Sequence, residues 1–299
     1  MKAKSLTLVM LLCFCRISPA SAQIQETFWH WQVIDTVRIY CVYDYVEYNV
    51  FRSNHLKEHE LFCVEIGDRL SRYYSLKQLE GDSLFYTTPQ AKREYQRRIR
   101  TGLSVKGDNK TNRLEKMGQI MPGGSEGEVY KNYPVQDSML VYNGWHGRTK
   151  YTETMMPQAW EIHSDTMLFL GYTCQKATCR WRGRDYTAWF TEEIPVSDGP
   201  YKFYGLPGLI VSVEDATGEY SWQLQGVEMP TNKRIYRSQP LNGKEYKLTD
   251  RLTELRQQWK SRLQMVKKVN ADAVMLGKEP PETEEPYDLI ELDLSLIHI

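Results

Sequence analysis

Beyond its first 22 residues the chain has no apolar run approaching the about 20 residues that a membrane-spanning helix needs. It is also short of net charge: 38 Lys and Arg face 38 Asp and Glu. Binding to nucleic acid as a main activity requires a basic excess or a clear basic patch, so a balanced chain argues against it. The basic clusters AKREYQRRIR (91–100) and RQQWKSRLQMVKK (256–268) read as solvated helix faces. Cysteine is sparse, and no CxxC pair with an accompanying histidine offers a zinc site. No cofactor or metal is expected from these patterns.

What is present begins at the N-terminus. Lys2 and Lys4, an apolar run from Leu6 to Cys15, and the small residues Ala20 and Ala22 form the three parts of a secretory signal peptide over residues 1–22. Export to the periplasm or cell surface follows as an expectation. Removing Lys2, Lys4 and Arg16 leaves 38 − 3 = 35 basic residues against 38 acidic ones. Cys41, Cys63, Cys174 and Cys179 then remain, and their three pairings are left open. Cys174 and Cys179 lie an odd number apart and should face opposite sides of one strand. A hairpin centred near residue 55 would set Cys41 opposite about residue 69 rather than opposite Cys63.

The dominant pattern is β. The stretch VRIYCVYDYVEYNVF (37–51) is rich in β-branched and aromatic residues, with Tyr43 and Tyr45 on one face against Val42 and Val46. Further runs are expected as strands at 59–68, 70–76, 82–87, 128–133, 137–142, 149–154, 158–163, 167–173, 175–181, 185–191, 209–215 and 219–228. Short turns between so many strands imply an antiparallel sheet in one domain over 23–277. Near the end, Leu252, Leu255, Trp259, Leu263 and Val266 recur at helical spacing, with Thr249 or Asp250 as the cap. The helix they define should lie on a face of the sheet. Residues 89–100 form a weaker helix, and 101–127 a glycine-rich loop. Residues 278–299 start as a proline- and acid-rich extended tail. Their last five, SLIHI, resemble translated adapter read-through, so the natural end is expected near residue 294.

Catalytic candidates are few. His55 and His59 stand at the right spacing for a metal on a helix, but they sit in a polar turn between strands and read as solvated side chains. Cys174 could serve as a thiol nucleophile if His146 or His163 met it. Glu192 and Glu193 are adjacent, which places them on opposite faces and makes them a poor acid/base couple. Eight tryptophans and twenty tyrosines suit ring stacking on a ligand, but equally the packing of a sheet core.

From Gly171 the chain reads GYTCQKATCRWRGRDYTAWFTEEIPVSDGPYKFYGLPGLIVSVEDATGEY. This stretch closely resembles the GLPGLI family of Bacteroidetes secreted proteins. The matching blocks contain Cys174, Lys176 and Ala177; Gly183, Arg184, Tyr186 and Trp189; Pro195, Gly199 and Pro200; and Gly205, Leu206, Pro207, Gly208, Leu209 and Ile210. Cys179, Phe190 and Tyr201 depart from the family pattern. The resemblance implies an exported β-rich protein with no established activity. In outline it implies the architecture of periplasmic lipoprotein carriers, a curved half-barrel-like antiparallel sheet holding a helix in its concavity.

Read physically, Arg182-Gly183-Arg184 turns one hairpin, and Pro195 and Pro200 end its second strand. Pro207 and Gly208 fit the middle of a type II turn with positive φ at Gly208. The motif residues thus form a structural set. The expected function is non-enzymatic: binding of an apolar or extended ligand (lipid, acyl chain or peptide), or of a cell-envelope partner. The alternatives are a hydrolase centred on Cys174 and a purely structural surface protein.

Overall fold

The computed structural model describes residues 32–48, 57–80, 89–104, 127–143, 149–229, 231–238, 245–275 and 291. Thirteen strands form one sheet: β1 (Val33–Tyr48), β2 (Lys57–Gly67), β3 (Ser71–Ser75), β4 (Glu128–Lys131), β5 (Ser138–Asn143), β6 (Thr149–Thr154), β7 (Glu161–Phe169), β8 (Tyr172–Trp181), β9 (Arg184–Thr191), β10 (Leu209–Asp215), β11 (Tyr220–Glu228), β12 (Arg234–Tyr236) and β13 (Lys247–Leu248). Among the described residues, a short helical stretch at 76–80 follows β3, and two longer helices accompany the sheet, α1 (Pro89–Leu103) and α2 (Arg251–Met275). The expected strand at 82–87 lies outside the described residues. The runs expected at 158–163 and 167–173 are instead one strand, β7, because the chain turns at Leu170-Gly171, where both φ angles are positive (50° and 88°).

The sheet order is β13-β6-β5-β4-β3-β2-β1-β11-β10-β9-β8-β7, with β12 also paired to β1. Two meanders, β1 to β6 and β7 to β11, therefore join at the β1/β11 pair. All pairings among the described residues are antiparallel except β13 on β6, so the sheet is mixed rather than purely antiparallel.

Connectivity makes this sheet curl. β6 and β7 stand ten strand steps apart, about 48 Å if the sheet were flat at ~4.8 Å per step. Only residues 155–160 join them, a link that spans at most roughly 25 Å. The sheet must bend until its two flanks approach, yet it stays unclosed. Side chains confirm the approach: Arg182 in the β8–β9 turn reaches Glu153 on β6 at 2.7 Å, and Trp160 Nε1 donates to the carbonyl of Tyr204 at 2.8 Å.

The concave side holds the main core. Tyr43 and Tyr45 of β1, Phe62 and Val64 of β2, Tyr73 of β3, Tyr186, Ala188 and Phe190 of β9, and Trp222 of β11 all point into it. The period-two alternation expected along YTAWFT is therefore observed. Burial of each large apolar side chain contributes about 1.5–3 kcal/mol. A second core, with Tyr40, Cys63, Tyr74, Tyr130 and Tyr142, covers the convex side beneath Ile235 of β12.

Two expectations about side-chain placement change. In the hairpin of β1 and β2, Cys41 stands opposite Val64 and Val42 opposite Cys63, not Cys41 opposite about residue 69. The two thiols still face opposite cores. The second change concerns α2. Asp250 caps it, accepting from Thr253 N at 2.9 Å, and Glu254 in its first turn is buried, accepting from Asn143 at 2.6 Å and Thr149 at 2.7 Å. Those bonds seat the start of the helix at the β5/β6 flank. Leu255 is buried, whereas Leu252 is exposed. The concavity is filled by the chain between β9 and β10, residues 192–208, which places Ile194, Phe203 and Leu206 in the core.

Candidate functional site

The inserted segment 192–208 carries seven of the sixteen motif residues, and its fixation starts with the two prolines. Pro195 is exposed and Pro200 buried, and β9 ends before both, at Thr191. Leu209 N donates to Ile194 O and Ile210 N to Asp198 O, both at 3.0 Å. Tyr43 on β1 donates to the carbonyl of Ile210 at 2.8 Å. Inside, the buried ammonium of Lys131 on β4 donates to Gly199 O at 2.7 Å and Phe203 O at 3.2 Å, and pairs with Asp198. One cation thus binds a carboxylate and two carbonyls of the same loop.

The type II turn expected at 206–209 is not formed. Gly208 has no positive φ; that conformation falls on Gly205, at 98°. Glycine is required at 208 for a different reason. A Cβ there would lie 2.1 Å from Thr191 O and 2.5 Å from Thr191 C, inside the backbone of the preceding strand end.

Arg184 ties together the far ends of β9, β10 and β11. Its Nη1 lies 2.8 Å from Asp215 and 2.7 Å from Glu219, and the guanidinium sits over the ring of Tyr220. Gly183 and Arg182 both have positive φ (84° and 48°), the two-residue hairpin turn expected there. Lys176 and Trp189 are neighbours on the half-buried outer face.

The arginine in that turn is informative. Asn or Gly ordinarily occupies its position, since a left-handed residue with a Cβ costs about 1–2 kcal/mol. Here the side chain enters a buried cluster formed with Tyr151 and Glu153 of β6, Tyr201 and Lys202 of the inserted segment, and Arg251 at the start of α2. Lys202 has no solvent exposure. Its Nζ lies 3.0 Å from Tyr151 Oη and 2.7 Å from Glu153 Oε1, the latter contact electrostatic rather than an aligned hydrogen bond.

At the centre of the cluster is Glu291, 2% exposed. Its Oε1 accepts from Lys202 Nζ at 2.6 Å and Tyr201 Oη at 2.8 Å. Its Oε2 accepts from Arg251 Nε at 2.7 Å and from Arg182 Nη1. A carboxylate has about four lone-pair positions, and four donors fill them. Burial alone would raise the Glu291 pKa, but Lys202, Arg182 and Arg251 outweigh it and hold the carboxyl well below its ordinary range. For Lys202 burial lowers the pKa, while Glu291, Tyr151 and Glu153 raise it further, so the ammonium stays charged.

None of this cluster was legible as a site. In the sequence Glu291 lies in a proline- and acid-rich tail, Tyr201 departs from the family pattern, and Arg182 is a turn residue. Two signals were available: a lysine inside the aromatic block YKFY (201–204), and a turn arginine where Asn or Gly is preferred.

The thiol candidate fares differently. Cys174 lies opposite Met167, and its Sγ is 3.6 Å from Tyr172 O. His163 bonds Thr178 at 2.7 Å instead, and His146 lies outside the described residues. Burial, then Glu193, push the Cys174 thiol up to about 11. All four described cysteines are free. At pH 7.5 the thiolate fraction of Cys174 is then roughly one part in several thousand. Native protein treated with iodoacetamide should therefore remain unmodified at Cys174 by mass spectrometry until it is denatured. Rapid native alkylation would revive the thiol mechanism.

His55 lies outside the described residues. His59 pairs with Asp44 at 3.0 Å on an exposed edge. Glu193 accepts from Thr173 N at 2.7 Å and is exposed. A GxSxG spacing, the usual serine-hydrolase signature, was expected to be absent, yet Gly123-Gly124-Ser125-Glu126-Gly127 has it. Residues 123–126 lie outside the described structure, and the chain runs from Gly127 into β4, whereas an elbow leads into a helix.

Residues 182–212 match the model of a family described as "Protein of unknown function (Porph_ging)". The matched stretch runs from the turn arginine through the inserted segment into β10. Two solved structures of PNGF-II, in space groups P21 and C2, are similar at 14% and 15% identity, each with a TM-score of 0.43. The similarity covers 77% of this chain and 34% of each PNGF-II chain, so the chain spans about a third of their length. Among curated proteins none matches.

Proposed function

We propose that this is an exported, non-enzymatic protein of the cell envelope that binds an acidic peptide segment by receiving one of its carboxylates in the Lys202 cluster. The observation that carries this reading is the saturation of Glu291 by Lys202, Tyr201, Arg182 and Arg251. Two donors on each oxygen match the planar fork of a carboxylate. Export rests on the N-terminal pattern, and placement in the GLPGLI family on the motif blocks described above. Of the ligand classes considered, an apolar molecule is disfavoured because Phe203, Leu206 and Trp222 already occupy the concave interior.

The test uses a labelled nonapeptide, EPYDLIELD, which copies residues 285–293, and an amidated control with every Glu and Asp replaced by Gln and Asn. Fluorescence anisotropy with the wild-type protein should show binding of the acidic peptide and not of the control. Lys202→Met should abolish it. Equal binding of the two peptides, or unchanged binding to a folded Lys202→Met variant, would remove the basis of the proposal.

A further inference from the structure

An unclosed sheet has two edges, and here they are finished differently. At one end β13 is two residues long, pairs with Thr149 and Lys150 of β6, and carries the exposed Lys247. A very short strand bearing a lysine is a common way of blunting an edge. At the other end stands β7, nine residues long, which among the described residues pairs with β8 alone.

The two halves of β7 are unlike. From Ile162 to Thr166 it advances four residues while β8 advances two, from Ala177 to Gln175. The extra residues form a bulge, in which the His163 ring bonds Thr178 and the His163 carbonyl accepts from Gln175 Nε2, both at 2.7 Å. With Asp165 exposed beside it, the bulge keeps this half from pairing with another strand. From Thr166 to Phe169 the ladder is regular, and the segment has no charge, proline or glycine. Met167 and Phe169 pack half-buried against the main core. The other face presents Leu168, 75% exposed, and Leu170 follows at the turn, 54% exposed. A regular, apolar, uncharged edge is the kind that takes up a further strand.

We infer that Thr166–Phe169 is the contact strand of a homodimer, in which two copies of β7 pair antiparallel about a two-fold axis at Leu168 and continue the sheet from one copy into the next. Main-chain groups at an edge are open to any strand, but the side chains of this segment match themselves. An axis at Leu168 sets Leu168 against its twin, Met167 against Phe169 and Thr166 against Leu170, with no charge in any opposed pair. An axis at Asp165 would instead oppose two like charges, which destabilises a sheet, and would bring the bulges together. With the axis at Leu168 the two Asp165 side chains are six residues apart along the strands, about 20 Å, where salt largely screens them. The same patch serves both copies, so the assembly closes at two. Two strands this short bury less than the about 1,200 Å² of a standard interface, and the dimer stands in equilibrium with monomer.

Sedimentation velocity of the purified protein over a concentration series should show monomer converting to dimer. Leu168→Lys places two ammonium groups across the axis and should weaken the dimer at least about tenfold, with thermal unfolding unchanged because the side chain is mostly exposed. Val135→Lys replaces an apolar side chain that is 65% exposed in the β4–β5 turn and should dimerise as wild type does. The register is read separately by cysteine substitution. Opposed Cβ atoms lie about 4.5–5.5 Å apart, so Leu168→Cys should form an intermolecular disulfide under mild oxidation. Thr166→Cys, about 14 Å from its twin, should not. The four native thiols among the described residues are buried, and wild type supplies the background. Monomer at every concentration, a dimer that Leu168→Lys leaves intact, or crosslinking at 166 and not at 168 would overturn the inference.

Discussion

Gly208→Ala is expected to prevent the protein from reaching its native state, although the change adds a single methyl group. The new Cβ would stand 2.1 Å from the carbonyl oxygen of Thr191 and 2.9 Å from Glu192 N. Both are main-chain atoms at the end of β9, so no side chain can rotate out of the way. Relief requires separating β9 from β10, where Leu209 is paired with Thr191. Overpacking in a core commonly costs about 1–3 kcal/mol, and a backbone overlap this deep lies beyond that range. It approaches the about 5–15 kcal/mol total stability of an ordinary domain. Loss of soluble yield and of cooperative thermal unfolding would be the readout. Gly205→Ala supplies the contrast: its φ of 98° is strained for alanine, but the nearest atom to its Cβ is Pro157 Cβ, at 3.2 Å, with Trp160 Cδ1 and Pro157 Cα at 3.7 and 3.8 Å. That variant should fold with a loss of about 1–3 kcal/mol. If Gly208→Ala folds with wild-type stability, the close approach of the inserted segment to β9 is wrong.

Lys202→Met should be the most damaging substitution among the charged residues. The side chains are similar in volume, so the loss isolates the charge. It removes one donor from Glu291 and the nearest cation from Glu153 Oε1. Removing one partner of a buried ion pair typically costs about 3–5 kcal/mol, measurable by denaturant unfolding. The pH dependence follows from the two groups. The Lys202 pKa is raised above 10.5, so its contribution is fully present below that value and is lost only as pH rises through the folded-state pKa. The Glu291 pKa is lowered from 4.5, so its contribution is present above 4.5 and fades as pH falls, because the unfolded chain takes up the proton first. The stability gap between wild type and Lys202→Met should be level from pH 6 to 9 and narrow below about pH 4.5. A gap that widens in acid would show that Glu291 is not held ionised by this cluster.

The parts of the fold that were legible in the sequence are those set by near neighbours. Alternation along YTAWFT assigned Tyr186, Ala188 and Phe190 to the core, because successive side chains of a strand point to opposite faces. The turn at Arg182-Gly183 and the strand end before Pro195 follow from local backbone sterics in the same way. Where expectation and structure parted, the deciding partner was remote. The spacing at Pro207-Gly208 fits a type II turn, but the need for glycine at 208 comes from Thr191, on another strand. The family resemblance implies a helix in the concavity, and that space is taken instead by Phe203 and Leu206 of the inserted segment.

By itself, then, the amino-acid sequence determined the β character, the Arg182-Gly183 turn and the C-terminal helix, since these depend on spacing along one segment; the expectation that Cys174 and Cys179 face opposite sides fails, as both lie in the main core. Only the tertiary structure decided which charges are buried together. Lys202 and Glu291 are 89 residues apart, and Arg182, Glu153 and Arg251 come from three other elements. Their meeting depends on how far a sheet bends when six residues must join its two flanks. A charge can remain in so dry a place only where its partners converge, and spacing along the chain carries no record of that convergence.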